Sequence, residues 1–132
     1  MSTDWVDYDY AIVRIVPRVH CCAFVNAGVI LHARTARFLG ARVQLDRDQV
    51  ANLDAAVDLD LADRFLATYR QICDGADGSG PIGQLPRSER FHWLTAPRST
   101  VLQTSPVHGG RTHDPERTLD ALFTQYVVQP GG

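Results

Sequence analysis

The chain contains no lysine: all 13 of its basic residues are arginine. The base composition of a source genome accounts for such a bias by itself. The functional alternative is bidentate recognition of an anion, which a guanidinium fork does better than an ammonium. No excess of charge of either sign is present, since the net charge is −2 over 132 residues. That value argues against a general nucleic-acid binder, whose surface is normally basic. No apolar run approaches the roughly 18 residues needed to cross a bilayer. The opening Met-Ser-Thr-Asp-Trp lacks the basic-then-apolar order of a secretory signal. These absences point to a cytoplasmic protein with no membrane association.

Cysteine is also scarce. Cys21 and Cys22 are adjacent, a poor geometry for bonding each other, and Cys73 stands alone. No disulfide framework is present, and neither a Cys-x-x-Cys pair nor a Cys/His cluster with zinc spacing occurs. No metal site is therefore assigned, and the thiols read as reduced side chains. Nucleotide-loop signatures are missing too. The glycines of 74–90 are not followed by Gly-Lys-Ser/Thr, and no Gly-x-Gly-x-x-Gly follows a clear strand. No cofactor is assigned. A serine nucleophile has no Gly-x-Ser-x-Gly elbow to sit on. His20 and Cys22 are two residues apart, but nothing supplies an orienting third group.

What is present is one domain's worth of chain. Hydrophobic content of 45% and charged content of 21% are ordinary for a globular protein of 132 residues. Two β-branched runs dominate it, Tyr8–Pro17 and Phe24–His32. Both faces of the first are mostly apolar, which predicts an interior strand over about 8–17. Pro17 ends it. The second strand is predicted over about 23–33 and a half-exposed third over 38–45. Asp46 and Gln49 have capping-box spacing ahead of a short helix, about 47–54. A longer helix starts near Leu59, capped by Asp58 or Asp60, with a stripe of Ala62, Phe65, Leu66, Tyr69, Ile72 and Cys73. Asp60 and Arg64 are spaced as an i,i+4 pair, and Gly75 is placed to stop the helix.

Residues 74–90, rich in glycine and proline, read as a long loop, either a plain connector or a moving cover. Arg90–Thr95 reads as a short extended run, Thr100–Thr104 as a fourth strand and Ser105–Gly110 as a loop. Asp114-Pro115-Glu116 is a clear helix start, with Leu119, Leu122, Phe123, Tyr126 and Val127 as its buried stripe. Residues 1–7 and 129–132 are expected to fray. The order of elements, without internal repeats, predicts a single α+β domain over 1–132. It would be two-layered, with a largely antiparallel sheet of about four strands, helices inserted before the last strand, and two or three helices packed on the sheet.

Arg14 is the sharpest anomaly, because a charge inside an apolar strand is costly unless paired. It is either braced by an acid or is an anion contact beside Asn26 and Gly28, where a missing side chain admits close approach. In an antiparallel pair the three residues can share a face, but a one-residue slip separates them. A second cluster runs from Arg87, Arg90 and His92 through Arg98, Ser99 and Thr100 to Ser105 and His108. It offers guanidinium forks, hydroxyls and two imidazoles, the types that hold a phosphate or carboxylate and move a proton. The candidate anion site is therefore Arg14, Asn26, Gly28, Arg98, Ser99, Ser105 and His108. For each histidine a structural or surface role competes with it. A metal site from His92, His108, His113 and Asp114 has no diagnostic spacing.

Several of these segments also carry a resemblance. Tyr10–Pro17, Phe24–Leu31, Phe91–Thr100, Ser105–His108 and Asp114-Pro115 resemble, in the same order and over nearly the whole chain, a bacterial family catalogued as a domain of unknown function (DUF3037). The resemblance names no activity. It implies a stand-alone cytoplasmic domain whose genes often neighbour a HipA-like kinase, and hence a partner or regulator of that kinase. It also implies acidic residues just ahead of Phe-Val-Asn, where this chain has Cys22 and Ala23; if those acids serve an ion pair with Arg14, or any chemistry, that function is lost or moved here. Two readings follow. One is a non-catalytic interaction domain, acting with a HipA-like kinase and capable of homodimerisation. The other is a phosphate-ester- or nucleotide-binding domain, or small enzyme, using the Arg/Ser/His cluster.

Overall fold

A computed structural model describes residues 4–18, 23–96 and 101–128. Its sheet is built on β1 (Val6–Arg18) and β2 (Ala23–Ala33), the two β-branched runs, paired antiparallel. A single turn of 3-10 helix, Arg34–Ala36, with Arg37 in the left-handed region, leads into β3 (Phe38–Val43) beside β2. The other edge of β1 is shared. β4 (Leu102–Thr104) pairs with Val13–Ile15, and β5 (His108–Thr112) pairs with Val6–Tyr10. The strand order is β3-β2-β1-β4, with β5 also on β1, and every pairing is antiparallel.

The helices are α1 (Arg47–Leu53), α2 (Leu59–Asp74), the single turn α3 (Gly80–Gly83), α4 (Arg87–Leu94) and α5 (Pro115–Phe123), which runs into a π-helical segment over Thr124–Val128. Their starts follow local chemistry. Asp46, Asp58 and Asp114 each accept a backbone N–H three residues on, satisfying one of the orphan donors of the first turn. α2 stops at Gly75, whose φ of 65° is the left-handed cap. No helix among the described residues is long and apolar enough to cross a membrane.

The expected α+β class and antiparallel sheet stand. The layering is richer than the expected two, because both faces of the sheet carry helices. Ala11, Val13, Ile15, Val25, Ala27 and Ile30 pack under α1, α2 and α4 through Val50, Leu66, Ile72, Phe91 and Leu94. Ile12, Val29 and Leu31 pack on the opposite face under α5, around Leu119. Alternation along β1 and β2 sends neighbouring apolar residues to opposite faces, and each face needs its own cover.

Four further expectations are corrected. Ser105–Gly110 is not all loop: His108 starts β5, whose two glycines give no hydrophobic alternation, so its strand state comes from the vacant half of β1's edge. Arg90–Thr95 is not extended but lies in α4, where Phe91 and Leu94, three apart, are the buried pair. The 74–90 stretch is ordered. Pro81 sits in the first turn of α3 and Pro86 is the N-cap of α4. Arg90 ties the stretch down, donating from Nη1 to the Leu85 carbonyl at 2.7 Å and from Nη2 to the Cys73 carbonyl at 3.4 Å. Asp60 also finds a different partner from Arg64: it pairs with Arg47 of α1 at 2.6 Å.

The edge of β3 is closed by its own side chain. Arg42 donates from Nη1 back to the Ala41 carbonyl and from Nε to Asp120 of α5. Such masking is a common way to keep an edge from pairing with another chain. Across the sheet, a Cβ built on Gly28 would lie 2.7 Å from the Arg42 carbonyl oxygen and 2.9 Å from Val43 Cγ1. Gly28→Ala must therefore push β2 and β3 apart. Urea denaturation should show a loss of about 1–3 kcal/mol.

Candidate functional site

The antiparallel register of β1 and β2 contains one irregularity that decides the site. From Asp9↔His32 to Val13↔Gly28 the pairing is regular, and the next pair is Arg14↔Asn26. Ala27 is left over as a bulge. Without it Arg14 would face Ala27, and Asn26 would point to the opposite side of the sheet. A bulge re-aims the side chain that follows it. Here it brings Asn26 to the α5 face, directly across from Arg14.

Arg14 is half-buried there, and its guanidinium carbon lies 4.1 Å from the centre of the Phe24 ring, a cation–π contact. No carboxylate pairs with it among the described residues. Its Nε is buried without a hydrogen-bond partner. Burial pulls the guanidinium pKa down, yet an arginine stays charged in a protein. Asn26 donates from Nδ2 to the Tyr126 carbonyl at 3.0 Å, and its Oδ1 is buried without a partner. That carbonyl is available because the π-helical segment ends two residues later, and terminal carbonyls have no partner within their own helix. An orphan donor and an orphan acceptor thus stand on facing residues, each costing roughly 1–3 kcal/mol if left unmet.

The other candidate residues are distributed as follows. Gly28 faces the opposite side of the sheet, toward Val13, and its missing side chain admits the β3 backbone rather than a ligand. Ser105 is buried and already occupied. Its Oγ accepts the Ile12 N–H at 2.9 Å and donates to the Pro106 carbonyl, while its own N–H donates to the Ile12 carbonyl. It hinges β4 to β5 along β1. His108 is exposed on β5, opposite Tyr10, with the two rings 5.5 Å apart. It is on the Arg14 side of the sheet but four residues away along β1, about 13 Å. Arg98 and Ser99 lie outside the described residues, as do His20, Cys21 and Cys22.

The Arg/Ser/His cluster read from sequence is divided by the sheet. Arg87, Arg90 and His92 belong to α4 on one face; His108 belongs with Tyr10 on the other. His92 lines a groove on α4 with Leu85, Ser88 and Trp93. A second groove, about 430 Å³, runs between α2 and the end of β3, where Arg70 pairs with Asp74. Neither touches Arg14. Cys73 is a poor nucleophile, since burial, with Asp74 nearby, pushes its thiol up to about 12. No group of three or more metal-ligating side chains occurs among the described residues.

Phe24, Tyr10 and Tyr126 were not legible as site residues. Tyr10 is held neutral, its phenol pushed up to about 12 by burial first and then by a side-chain hydrogen bond to Tyr126. Their alternating apolar positions read as core; Phe24 meets Arg14, Tyr126 meets Asn26, and Tyr10 lies beside Tyr126. A family model described as Protein of unknown function (DUF3037) matches residues 10–127. No curated protein and no solved structure matches the chain.

His32 was also missed. It is buried on the α4 face, its ring 5.3 Å from that of Phe91. Burial lowers its pKa below 6.5; Asp9 opposes this, while Arg34 and Arg87 reinforce it. The folded chain therefore binds this proton less readily than the unfolded chain. Stability is level above pH about 6.5 and falls as the pH drops below it. Urea midpoints measured down the acid limb should show this fall in the wild type and a shallower one in His32→Phe.

Proposed function

This chain belongs to the DUF3037 family, and within it we propose a non-catalytic binding domain in which Arg14 and Asn26 hold an anionic group of a partner protein. The observation that carries the reading is the pair of unmet polar atoms at the bulge, Arg14 Nε and Asn26 Oδ1. A carboxylate or phosphate oxygen would be held by the guanidinium fork of the half-buried Arg14. Phe24, 44% exposed beneath the guanidinium, adds an apolar contact at the same place.

The geometry favours binding over catalysis. Ser105 is engaged by the backbone, the Cys73 thiol is buried, and His92 and His108 stand on opposite sides of the sheet. Among the described residues no nucleophile has a base and an orienting group beside it. A HipA-like kinase is the partner we assign, on the strength of the family's gene context. A free phosphate ester or nucleotide is the second ligand the same chemistry would accept.

Co-purification of the chain with the neighbouring kinase, followed by calorimetric titration, tests the reading. Arg14→Gln should weaken association roughly tenfold or more, the scale of a lost charge-assisted hydrogen bond. A thermal-shift series with inorganic phosphate and nucleotides distinguishes the second ligand, because a small anion bound only by the folded state raises Tm in its own right. If the kinase never associates and no anion shifts the wild type relative to Arg14→Gln, the reading fails.

A further inference from the structure

The outer edge of β5 is open, unlike that of β3. Ile12 turns its N–H and carbonyl toward Ser105, on the β4–β5 side of β1. Tyr10, Tyr8 and Val6, at two-residue intervals, turn theirs the same way. Opposite them His108, Gly110 and Thr112 use their backbone groups on β1. Gly109 and Arg111 therefore present their N–H and carbonyl groups outward. Both residues are exposed, and no hydrogen bond to these groups occurs among the described residues. Five residues carrying two glycines and no masking side chain make an unprotected edge.

We propose that β5 is a homodimerisation edge, paired antiparallel with β5 of a second copy about a two-fold axis at Gly110. Three features of this one strand fit its own copy. First, that register sets Arg111 opposite Gly109 of the second copy. Gly109 has no side chain to cover the neighbouring Asp9, whose Oδ1 lies 3.5 Å from where its Cβ would be. Asp9 has no ion pair among the described residues, so Arg111 can reach across the glycine to Asp9 of the second copy. Its contact to its own Asp7, 3.4 Å with both side chains highly exposed, leaves it free to do so.

Second, two of the large exposed apolar side chains flank β5 at its two ends. Val107 is 46% exposed, and Trp5 is 58% exposed with its ring stacked 3.7 Å from His113. Pairing about Gly110 brings Val107 opposite His113 of the second copy, and so against the Trp5–His113 stack, once at each end. Third, Gly110 faces itself at the axis. A Cβ there would lie 2.5 Å from the Tyr8 ring, so the ring already lies over this glycine. Two glycines at the axis leave room for both Tyr8 rings. No like charges meet at any opposed position, a requirement for stable cross-strand pairing. The two-fold closes the contact, so a dimer forms rather than a fibre.

Sedimentation velocity across a concentration series, with residue-resolved amide exchange on the purified wild type, tests the proposal. The expected result is a dimer in which the Gly109 and Arg111 amides become protected as dimer forms. Gly109→Pro should be monomeric with an unchanged circular dichroism spectrum, because the lost N–H points away from β1 and proline is tolerated at such edge positions. Arg111→Asp removes two symmetry-related ion pairs, each worth at most about fivefold, and should weaken the dimer by up to about 25-fold; Arg111→Asp with Asp9→Arg should restore it. A wild type that stays monomeric at high micromolar concentration overturns the proposal; so does a dimer whose Gly109 and Arg111 amides exchange freely. Should Gly109→Pro fail to fold, the wild-type exchange pattern and the charge-swap pair decide.

Discussion

A single extra residue in β2, Ala27, sets the geometry on which the candidate site depends. The bulge turns Asn26 to the α5 face and places it across from Arg14. On that face the end of the π-helical segment offers the Tyr126 carbonyl, and Phe24 lies under the guanidinium. Remove the extra residue and the sheet still forms, because the apolar alternation on either side of it is intact. What would be lost is the meeting of one cation with one amide on a half-covered surface.

Arg14 differs from the chain's other buried or bridging arginines. Arg42 and Arg47 each have carboxylate partners, and Arg90 donates to two backbone carbonyls. Those arrangements hold elements together, although Arg90 Nε, like Arg14 Nε, is buried without a hydrogen-bond partner: Arg42 ties β3 to α5, Arg47 ties α1 to α2, and Arg90 ties the 74–90 stretch to the end of α2. Arg14 has only the face of an aromatic ring among the described residues. A cation–π contact is worth about 0.5–2 kcal/mol, less than a paired buried charge requires. The brace reading thus lacks a counter-charge among the described residues, while the binding reading uses the same deficit.

Much of the fold was legible. β1 and β2 show in their β-branched runs, and α1, α2 and α5 in their aspartate caps and helical stripes. Gly75 marks the end of α2 through its need for a left-handed residue. β5 and α4 were not legible, for opposite reasons. His108-Gly-Gly-Arg-Thr has no pattern of its own and is a strand only because half of β1's edge was vacant. Arg87–Leu94 has too few apolar residues for its period to be told from a strand's. At the site, Arg14 and Asn26 stand out as polar residues in apolar strands. Gly28 and Ser105 also stand out, but tertiary packing uses them: one admits β3, the other joins β4 to β5. A bulge has no composition signal, so the pairing of Arg14 with Asn26 could be named but not fixed.

The claim at the centre is that Arg14 is kept for a ligand at the expense of the free protein's stability. Equilibrium denaturation of Arg14→Met against the wild type measures this directly. Methionine keeps the length of the stem and can lie on Phe24 through its thioether, while the unmet charge disappears. Replacing such a charge by an apolar group of similar size is often neutral or stabilising, so the variant should unfold at the same or a higher urea concentration, by up to about 1 kcal/mol. A clear loss of stability would mean that Arg14 braces the fold and that the bulge holds no binding site.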